Sequence, residues 1–372
     1  MTDDGSARPK RRASKTAKRP PFVLNGQEVA PGTREQIPIP VGTFLTHEEL
    51  RLRVTVVHGK KPGPTLLLTA GIHGDEYNGT EVIRRILRQP RLSRLSGTLI
   101  AVPIVNRPGF VTRSRYMPDR RDLNRLFPGS ATGSLGGRLA RVLTEEILPH
   151  ADAVIDLHTG AINRPNFPQI RISADCPESR ELARIFDPPV MLIGHAREGT
   201  FRHSCLELGK PSLLYEAGEA LRLDAPSIRF GTEGILAVMQ QLEMLPTSKR
   251  SRRRTPTLVS HRSYWERSPA GGIFTPLVAL GKAVEKDSLL GFIADPHGSK
   301  ETPVKATRAG VLIGRTNEAV ADEGDGLFHI ALLDDLESAE QSIANTADAM
   351  PSLDNREDDH PVPYDSLNDT IS

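Results

Sequence analysis

Three side chains of metal-ligating type stand shortly after two apolar segments of the sequence. His73 and Glu76 follow the apolar run Thr65–Ala70, and His158 follows Ala153–Leu157. Ligand sites in open α/β sheets collect at the carboxyl ends of the strands. Zinc accepts imidazole nitrogen and carboxylate oxygen, and a catalytic zinc site uses three protein ligands and keeps a fourth position for water. The spacing therefore predicts one zinc ion per chain on these three residues, with ordinary polar loop residues as the alternative.

An arginine-rich stretch offers groups that bind anions. It contains Arg113, Arg115 and Tyr116, followed by Asn124 and Arg125 in a loop that ends in Pro-Gly. Arginine binds a carboxylate through two parallel hydrogen bonds and can stabilise an oxyanion. The pattern predicts recognition of a small anionic substrate, and a solvated loop with ion pairs is the alternative. Nucleic acid is a weaker hypothesis, because few aromatic residues accompany these arginines.

Two further carboxylates occupy strand positions. Glu216 follows the apolar run Ser212–Leu214 and precedes Ala-Gly, while Asp156 lies two residues before His158 on the same face of its strand. A carboxylate placed like Glu216 can take a proton from a metal-activated water and return it to a leaving nitrogen. Asp156 can orient an active-site group from behind. A surface glutamate is the alternative for Glu216.

The composition indicates a globular protein of about two domains. The 372 residues carry a formal net charge of +2, with 38% hydrophobic and 25% charged residues. Residues 1–20 have a net charge of +5 and residues 334–372 a net charge of −10, and both ends have the polar composition of disordered segments. The two cysteines suit a reducing compartment, and no run approaches the ~20 apolar residues of a membrane helix. We therefore expect a cytoplasmic protein without membrane contact.

Short apolar strands alternate with amphipathic helices, which predicts an α/β fold with a largely parallel sheet flanked by helices. Strands are expected at 50–58, 65–70, 98–105, 153–157 and 212–214, helices at 79–87 and 135–147, and a turn at 62–64. After a basic connection, short apolar pieces separated by Gly and Pro predict a small all-β unit. The expected segments are a basic tail at 1–21, the domain of the predicted zinc hydrolase at 22–246, a linker at 247–256, the β unit at 257–333 and an acidic tail at 334–372.

Taken in order, these motifs resemble the succinylglutamate desuccinylase/aspartoacylase family of zinc-carboxypeptidase-like, M14-type hydrolases. The resemblance covers residues 45–332. The matching motifs are HxxE at His73 and Glu76, Arg115-Tyr116, Asp122 to Arg125, Asp156 to His158, and Glu216 before Ala-Gly. Their common order is more specific than any single motif. The segment 158–171 looks like a bacterial subgroup that includes diaminobutyrate deacetylase-like enzymes.

The resemblance implies roles for the residues nearest the metal. The zinc ligands would be His73, Glu76 and His158, as the spacing already predicts. Glu216 would act as general base and then as general acid. Arg115 would polarise the scissile carbonyl, but a longer spacing to the Asn-Arg pair than in aspartoacylases leaves Arg113 as a competitor.

The resemblance also implies contacts to the rest of the substrate. Asn124 and Arg125 would bind a substrate carboxylate. Arg202 falls at a position of expected substrate contact, although no motif anchors it. The family carries a C-terminal β domain similar to biotinyl/lipoyl barrel-sandwich domains, and residues 268–332 fit that outline.

The function expected from the sequence is a zinc amidohydrolase that removes the acyl group from an N-acylated amino acid or a similar small carboxylate. The first alternative is an amidase- or carboxypeptidase-like hydrolase that acts on a peptide terminus or a modified peptide tail. The second is a binding protein that keeps the fold without catalysis. The expected partner is a small carboxylate substrate, with neither nucleic acid nor membrane, and a homo-oligomer is left open.

Overall fold

The structure is a computed structural model that describes residues 19–247 and 257–332. The predicted acidic tail, residues 1–18 of the basic tail and residues 248–256 of the linker lie outside the described residues. Arg19 and Pro20, which the sequence assigned to the tail, contact the folded chain. The Arg19 guanidinium donates to the carbonyls of Gly59 and Gly97 at 2.8 Å, and the Pro20 carbonyl lies 3.0 Å from Nε2 of His58.

Five strands come first, helices and further strands then follow up to residue 241, and the described residues 257–332 contain strands alone. The α-helices are α1 (Asn78–Leu87), α2 (Arg107–Thr112), α3 (Leu135–Arg141), α4 (Pro177–Phe186), α5 (Phe201–Glu207) and α6 (Ala225–Gln241). The strands are β1 (Phe22–Leu24), β2 (Gln27–Val29), β3 (Thr33–Thr43), β4 (Glu49–His58), β5 (Lys61–Ala70), β6 (Ser96–Val102), β7 (Ala153–Gly160), β8 (Asn166–Ser173), β9 (Val190–Gly194), β10 (Ser212–Glu219), β11 (Leu258–Ser260), β12 (Ser263–Arg267), β13 (Gly272–Pro276), β14 (Ala283–Val284), β15 (Leu289–Ala294), β16 (Glu301–Lys305), β17 (Gly310–Arg315), β18 (Val320–Ala321) and β19 (Gly326–Leu332). No helix within the described ranges is long and apolar enough to cross a membrane.

The main sheet is mixed, with parallel strands at its centre. Strands β6, β5, β7 and β10 run parallel in that order, so their carboxyl ends meet at one edge. Antiparallel β4 and β3 continue the sheet beyond β6, and antiparallel β8 continues it beyond β10. The predicted α/β class with flanking helices is confirmed, and the parallel arrangement holds for the central strands.

Apolar side chains cover both faces of this sheet, which fixes the register of each central strand. Leu66 and Leu68 of β5 pack into a core with Ile83 of α1, on the face that α4 and α6 also cover. Leu67, between them, points the other way and packs into a core with Leu139 of α3. Because a one-residue slip would turn each of these side chains into the opposite core, where the close packing does not accommodate it, the ends of the strands occupy defined positions.

Two local predictions need correction. The predicted turn at 62–64 lies inside β5, whose pairing with β6 shifts register between Lys61 and Thr65. Prolines are tolerated in such an irregular part of a strand, because no regular ladder hydrogen bond is lost there. The predicted helix at 135–147 is α-helical only to Arg141 and continues as a π-helical turn over Val142–Ile147.

The C-terminal segment is all-β, as expected, but it is divided between sheets. Strands β16, β15, β13 and β18 form a separate antiparallel sheet over a core that contains Phe274, Leu290 and Phe328. Strands β12, β19 and β17 instead extend the main sheet, which they join through the pairing of Gly314 with Asn166 of β8. Strand β11 pairs with β9 of the larger domain. The β unit is therefore continuous with the sheet that carries the candidate site.

Candidate metal centre and active site

A tight turn after β5 brings His73 and Glu76 to the edge where the parallel strands end. Gly71 has φ +64°, a conformation that glycine adopts without strain. A Cβ on Gly74 would lie 2.1 Å from the carbonyl carbon of Gly109, so only glycine lets this turn pack against α2. Helix α1 begins directly after the turn, at Asn78. The turn therefore holds both side chains against the end of the neighbouring strand β7.

The donor atoms of His73, Glu76 and His158 converge on one point. Nδ1 of His73 lies 2.7 Å from Oε1 of Glu76, and Nδ1 of His158 lies 2.8 Å from Oε2 of the same carboxylate. The two Nδ1 atoms are 3.2 Å apart. All three side chains are buried, and their ligand atoms lie within 4.8 Å of one another. The residues predicted as metal ligands are thus the ones that the fold brings together.

Each of the two imidazoles is held from behind by a second carboxylate. Nε2 of His158 lies 2.9 Å from Oδ2 of Asp156, whose other oxygen accepts a hydrogen bond from the Thr69 hydroxyl at 2.7 Å. Nε2 of His73 lies 3.1 Å from Oδ1 of Asp122. A carboxylate that accepts the Nε2 proton leaves the Nδ1 lone pair free for a metal and raises the basicity of the ring. This donor set of two imidazoles and one carboxylate fits zinc, and three protein ligands are the number that a catalytic zinc site uses.

The charges of this cluster support the same conclusion. Burial by itself opposes ionisation, but Glu76 and Asp122 together raise the pKa of His73. Burial likewise opposes the charge on His158, whose pKa Asp156 and Glu76 raise well above its ordinary value. The two histidines in turn lower the pKa of Glu76 despite its burial. The site therefore keeps an ionised carboxylate and attracts positive charge, which a metal would supply on displacing the protons.

Arg115 reaches this cluster and Arg113 does not. The Arg115 guanidinium donates to Oε1 of Glu76 and to Oδ2 of Asp122, both at 3.2 Å. Arg113 ends helix α2 with φ +55°, and its side chain is exposed. Of the two arginines that the sequence left in competition, Arg115 is the one that lies beside the ligands.

The other predicted substrate-binding residues lie around the same edge in different settings. Oδ1 of Asn124 accepts a hydrogen bond from the backbone N–H of Phe201 at 2.9 Å, which ties its loop to α5. Arg125 is exposed, and its guanidinium donates to the Asn124 carbonyl at 2.5 Å. Arg202 is half-buried on α5, where burial and the charge of Arg171 lower its pKa.

Glu216 lies next to the candidate ligands on the neighbouring strand. In the parallel pairing of β10 with β7, Glu216 is in register with His158, so the two side chains leave the same face of the sheet. Oε2 of Glu216 accepts a hydrogen bond from the Asn166 amide at 2.5 Å. Nε of Arg171 lies 3.5 Å from Oε1 of Glu216, at ion-pair distance. Glu216 is therefore a partly buried neighbour of the cluster and not an exposed surface residue.

Sequence reasoning missed three residues of this site. Asp122 stood inside a recognised motif, but its contact with His73 bridges 49 positions of sequence. Arg171 and Asn166 belong to β8, whose apolar pattern gives no hint that these side chains turn toward Glu216. Only the antiparallel pairing of β8 with β10 reveals them.

The chain is similar to a known catalytic-domain family and to two characterised enzymes. Residues 62–242 match the model of the succinylglutamate desuccinylase/aspartoacylase catalytic domain. The chain is 29% identical over 294 residues to N-alpha-acetyl-L-2,4-diaminobutyric acid deacetylase from Halomonas elongata, covering 84% of that protein and 75% of this chain. It is 30% identical over 189 residues to succinylglutamate desuccinylase from Pseudomonas aeruginosa, covering 55% of that protein and 45% of this chain.

Solved structures share the fold over most of the chain. A succinylglutamate desuccinylase/aspartoacylase from Rhodobacter sphaeroides is 26% identical with a TM-score of 0.72, covering 81% of this chain and 96% of that one. The product-bound ectoine utilization protein from Ruegeria pomeroyi has a TM-score of 0.73 at 24% identity, covering 86% of this chain and all of that one, 100%. The latter supports the fold alone. The resemblance and the fold expected from the sequence are both confirmed.

Proposed function

We propose that this protein is a zinc-dependent deacylase of N-acylated amino acids, because residues 62–242 match the model of the succinylglutamate desuccinylase/aspartoacylase catalytic domain. The relatives named above are a deacetylase and a desuccinylase, so hydrolysis of an amide bond is the reaction of this group. The observation that carries the zinc dependence is the convergence of His73, Glu76 and His158, with their ligand atoms within 4.8 Å of one another.

In this proposal, His73, Glu76 and His158 hold the metal, and Asp122 and Asp156 fix the two imidazoles. Zinc bound there would supply Lewis-acid polarisation of the water and of the scissile carbonyl.

Glu216 accepts a proton from the attacking water and later donates it to the leaving amine nitrogen. Its register with His158, one of the candidate metal ligands, supports this role.

Arg115 and the Asn124-Arg125 loop contribute to charge recognition. Arg115 donates hydrogen bonds to the carbonyl oxygen as negative charge develops on it. The Arg125 guanidinium binds the carboxylate of the substrate, and Asn124 shapes the loop through its bond to the start of α5. Arg202, half-buried beside Arg171, is a further cation for substrate contact.

A substrate panel tests this proposal. The zinc-loaded protein is assayed with N-alpha-acetyl-L-2,4-diaminobutyric acid, N-succinylglutamate, N-acetylaspartate and short peptides with a free C-terminus. We expect turnover of at least one N-acylated amino acid, no turnover after chelation, and recovery when zinc is returned. Glu216→Gln should keep its zinc while kcat falls by about 10²–10⁴, the usual effect of a positioned acid/base.

The panel also separates the two alternatives. Cleavage of the peptides alone would favour a carboxypeptidase- or amidase-like enzyme. Stoichiometric zinc without hydrolysis of any compound would favour a binding protein on this fold. Full activity after removal of all zinc would overturn the metal assignment.

A further inference from the structure

The polypeptide turns back sharply between β7 and β8, and this turn ends at Asn166. A Cβ on Gly160 would lie 1.8 Å from the Arg164 carbonyl oxygen, so the return requires glycine. Asn166 then pairs with Gly218 of β10, two residues beyond Glu216, where the β8–β10 register is irregular. The irregular pairing lets the Asn166 amide reach Oε2 of Glu216 at 2.5 Å.

The C-terminal β unit holds this turn in place. Gly314 of β17 pairs with Asn166, and a Cβ on Gly314 would lie 3.0 Å from Oδ1 of Asn166. The backbone N–H of Asn317 donates to the Asn163 carbonyl at 2.6 Å, and that of Arg315 donates to the Pro165 carbonyl at 3.4 Å. The turn is therefore fastened by two backbone hydrogen bonds next to the Gly314–Asn166 pair, both on the side of the β7–β8 turn.

The Asn166 contact restricts the Glu216 carboxylate. With Oε2 bound to the Asn166 amide, rotation of the carboxylate is limited and Oε1 is left facing Arg171 at 3.5 Å. A neutral amide fixes orientation without cancelling the charge of the carboxylate. Orientation matters for a proton acceptor, because a misplacement of about 1 Å can lower a rate by about 10²-fold.

We propose that Asn166 is a positioning residue for Glu216, and that the C-terminal β unit takes part in the site by holding Asn166 through Gly314. This inference rests on the proposed role of Glu216 as the acid/base. It assigns the β unit a function in the site that goes beyond its contribution to the fold.

A double-mutant cycle on the zinc-loaded full chain tests the proposal, using the panel substrate with the highest kcat/KM. Asn166→Ala should lower kcat by about 10–100-fold with KM little changed, because binding of the substrate does not depend on the proton acceptor. Asn166→Asp keeps the shape but replaces the donor by an acceptor, and should lower kcat at least as much. In the Glu216→Gln background, Asn166→Ala should cause no further loss, because the group that it positions is gone.

A control variant and a variant of the β unit are measured by the same kinetics. Thr307→Ala removes a side chain of the same β unit that bonds to Glu266 at an exposed position and does not hold the turn, so kcat should stay unchanged. Gly314→Ala crowds the side-chain oxygen Oδ1 of Asn166 and should lower kcat, and this loss should vanish in the Asn166→Ala background. A crystal structure of Asn166→Ala should show the Glu216 carboxylate in more than one orientation, which is a readout independent of activity.

Each result decides the proposal. If both Asn166 variants keep a normal kcat while the kcat of Glu216→Gln falls as expected, the positioning role is overturned and the proposed function is left intact. Losses that multiply in the double variant would overturn it as well, since Asn166 would then act independently of Glu216. Normal turnover by Glu216→Gln would instead remove Glu216 from the mechanism, and the proposal with it.

Discussion

Oδ2 of Asp156 lies 2.9 Å from Nε2 of His158, two residues further along the same strand. Alternation along a strand puts residues i and i+2 on one face, so the contact is set by β7 itself. The other oxygen of Asp156 is bound to Thr69 of the adjacent strand. The imidazole is thereby locked with Nδ1 directed at Glu76, and this relationship yields the first prediction.

Asp156→Asn should weaken zinc binding by about 10–100-fold, the usual cost of losing a carboxylate behind a metal-binding imidazole. The measurement is competition for zinc with a chelator of known affinity. Asp175→Asn is the control, because Asp175 also lies 3.2 Å from a histidine, His195, but at an exposed position. Equal zinc affinity in Asp156→Asn and wild type would contradict the proposed support.

Arg115→Lys should lower kcat by about 10²-fold with a smaller effect on KM, since its charge meets the carbonyl oxygen mainly in the transition state. Arg113→Lys should leave kcat unchanged, because the exposed Arg113 side chain forms neither of the hydrogen bonds to Glu76 and Asp122 that Arg115 forms. Steady-state kinetics of the two variants shows whether Arg115 or Arg113 polarises the scissile carbonyl. A larger loss in Arg113→Lys would reverse the assignment.

Arg125→Lys should raise KM for a free-carboxylate substrate about tenfold, equivalent to about 1.4 kcal/mol, while kcat changes less. The reason is that lysine cannot reproduce a bidentate bond to a carboxylate, and that bond is present in ground and transition states alike. The matched comparison is the methyl ester of the same substrate. If wild type and variant prefer acid over ester equally, the assignment fails, and Arg113 and Arg202 become the next candidates.

Gly160→Ala should destabilise the fold by about 1–3 kcal/mol, because its Cβ would overlap the Arg164 carbonyl oxygen at 1.8 Å and force the backbone to move. Gly194→Ala is the control, because a Cβ there would meet no heavy atom within 4 Å. Urea denaturation of both variants gives the comparison. Equal midpoints for the two would show that the turn after β7 is looser than the structure indicates.

The pH dependence of stability should report on His329. Burial, with the nearby charge of Arg171, lowers the pKa of this imidazole to about 3. In the unfolded chain it takes up a proton below about pH 6.5, whereas in the folded chain it stays neutral, so stability is lost as the pH falls through this window. Between pH 7 and pH 5 the loss amounts to roughly 2 kcal/mol.

Replacing His329 by Gln should remove this part of the pH dependence. The free energy of unfolding of wild type and variant is compared at pH 7 and pH 5 by urea denaturation. His195→Gln is the control, because that side chain is 86% exposed. An identical pH dependence in wild type and His329→Gln would contradict the prediction.

Much of the candidate site could be predicted because its residues lie within a few positions of apolar strands that the sequence reveals. His73 and Glu76 are three residues apart after one apolar strand, and His158 closely follows another. Parallel strands place their carboxyl ends at a common edge, so residues after two such strands meet without knowledge of the helices between them. The α/β class followed from the same alternation of strands and helices.

Other relationships required the tertiary structure. The choice of Arg115 over Arg113 depends on where α2 ends and on the left-handed backbone at Arg113, which spacing alone does not specify. Asp122 supports His73 across 49 positions, through a loop without regular periodicity.

The sequence by itself thus determined the types of the candidate ligands, the strands that carry them and the order of the motifs. The tertiary structure alone decided that Asn166 bonds to Glu216, 50 positions away, and that Gly314 of the β unit holds Asn166. Local patterns set which residues form strands. Strand order, antiparallel partners and irregular register decide which side chains meet, and these follow from packing the whole sheet.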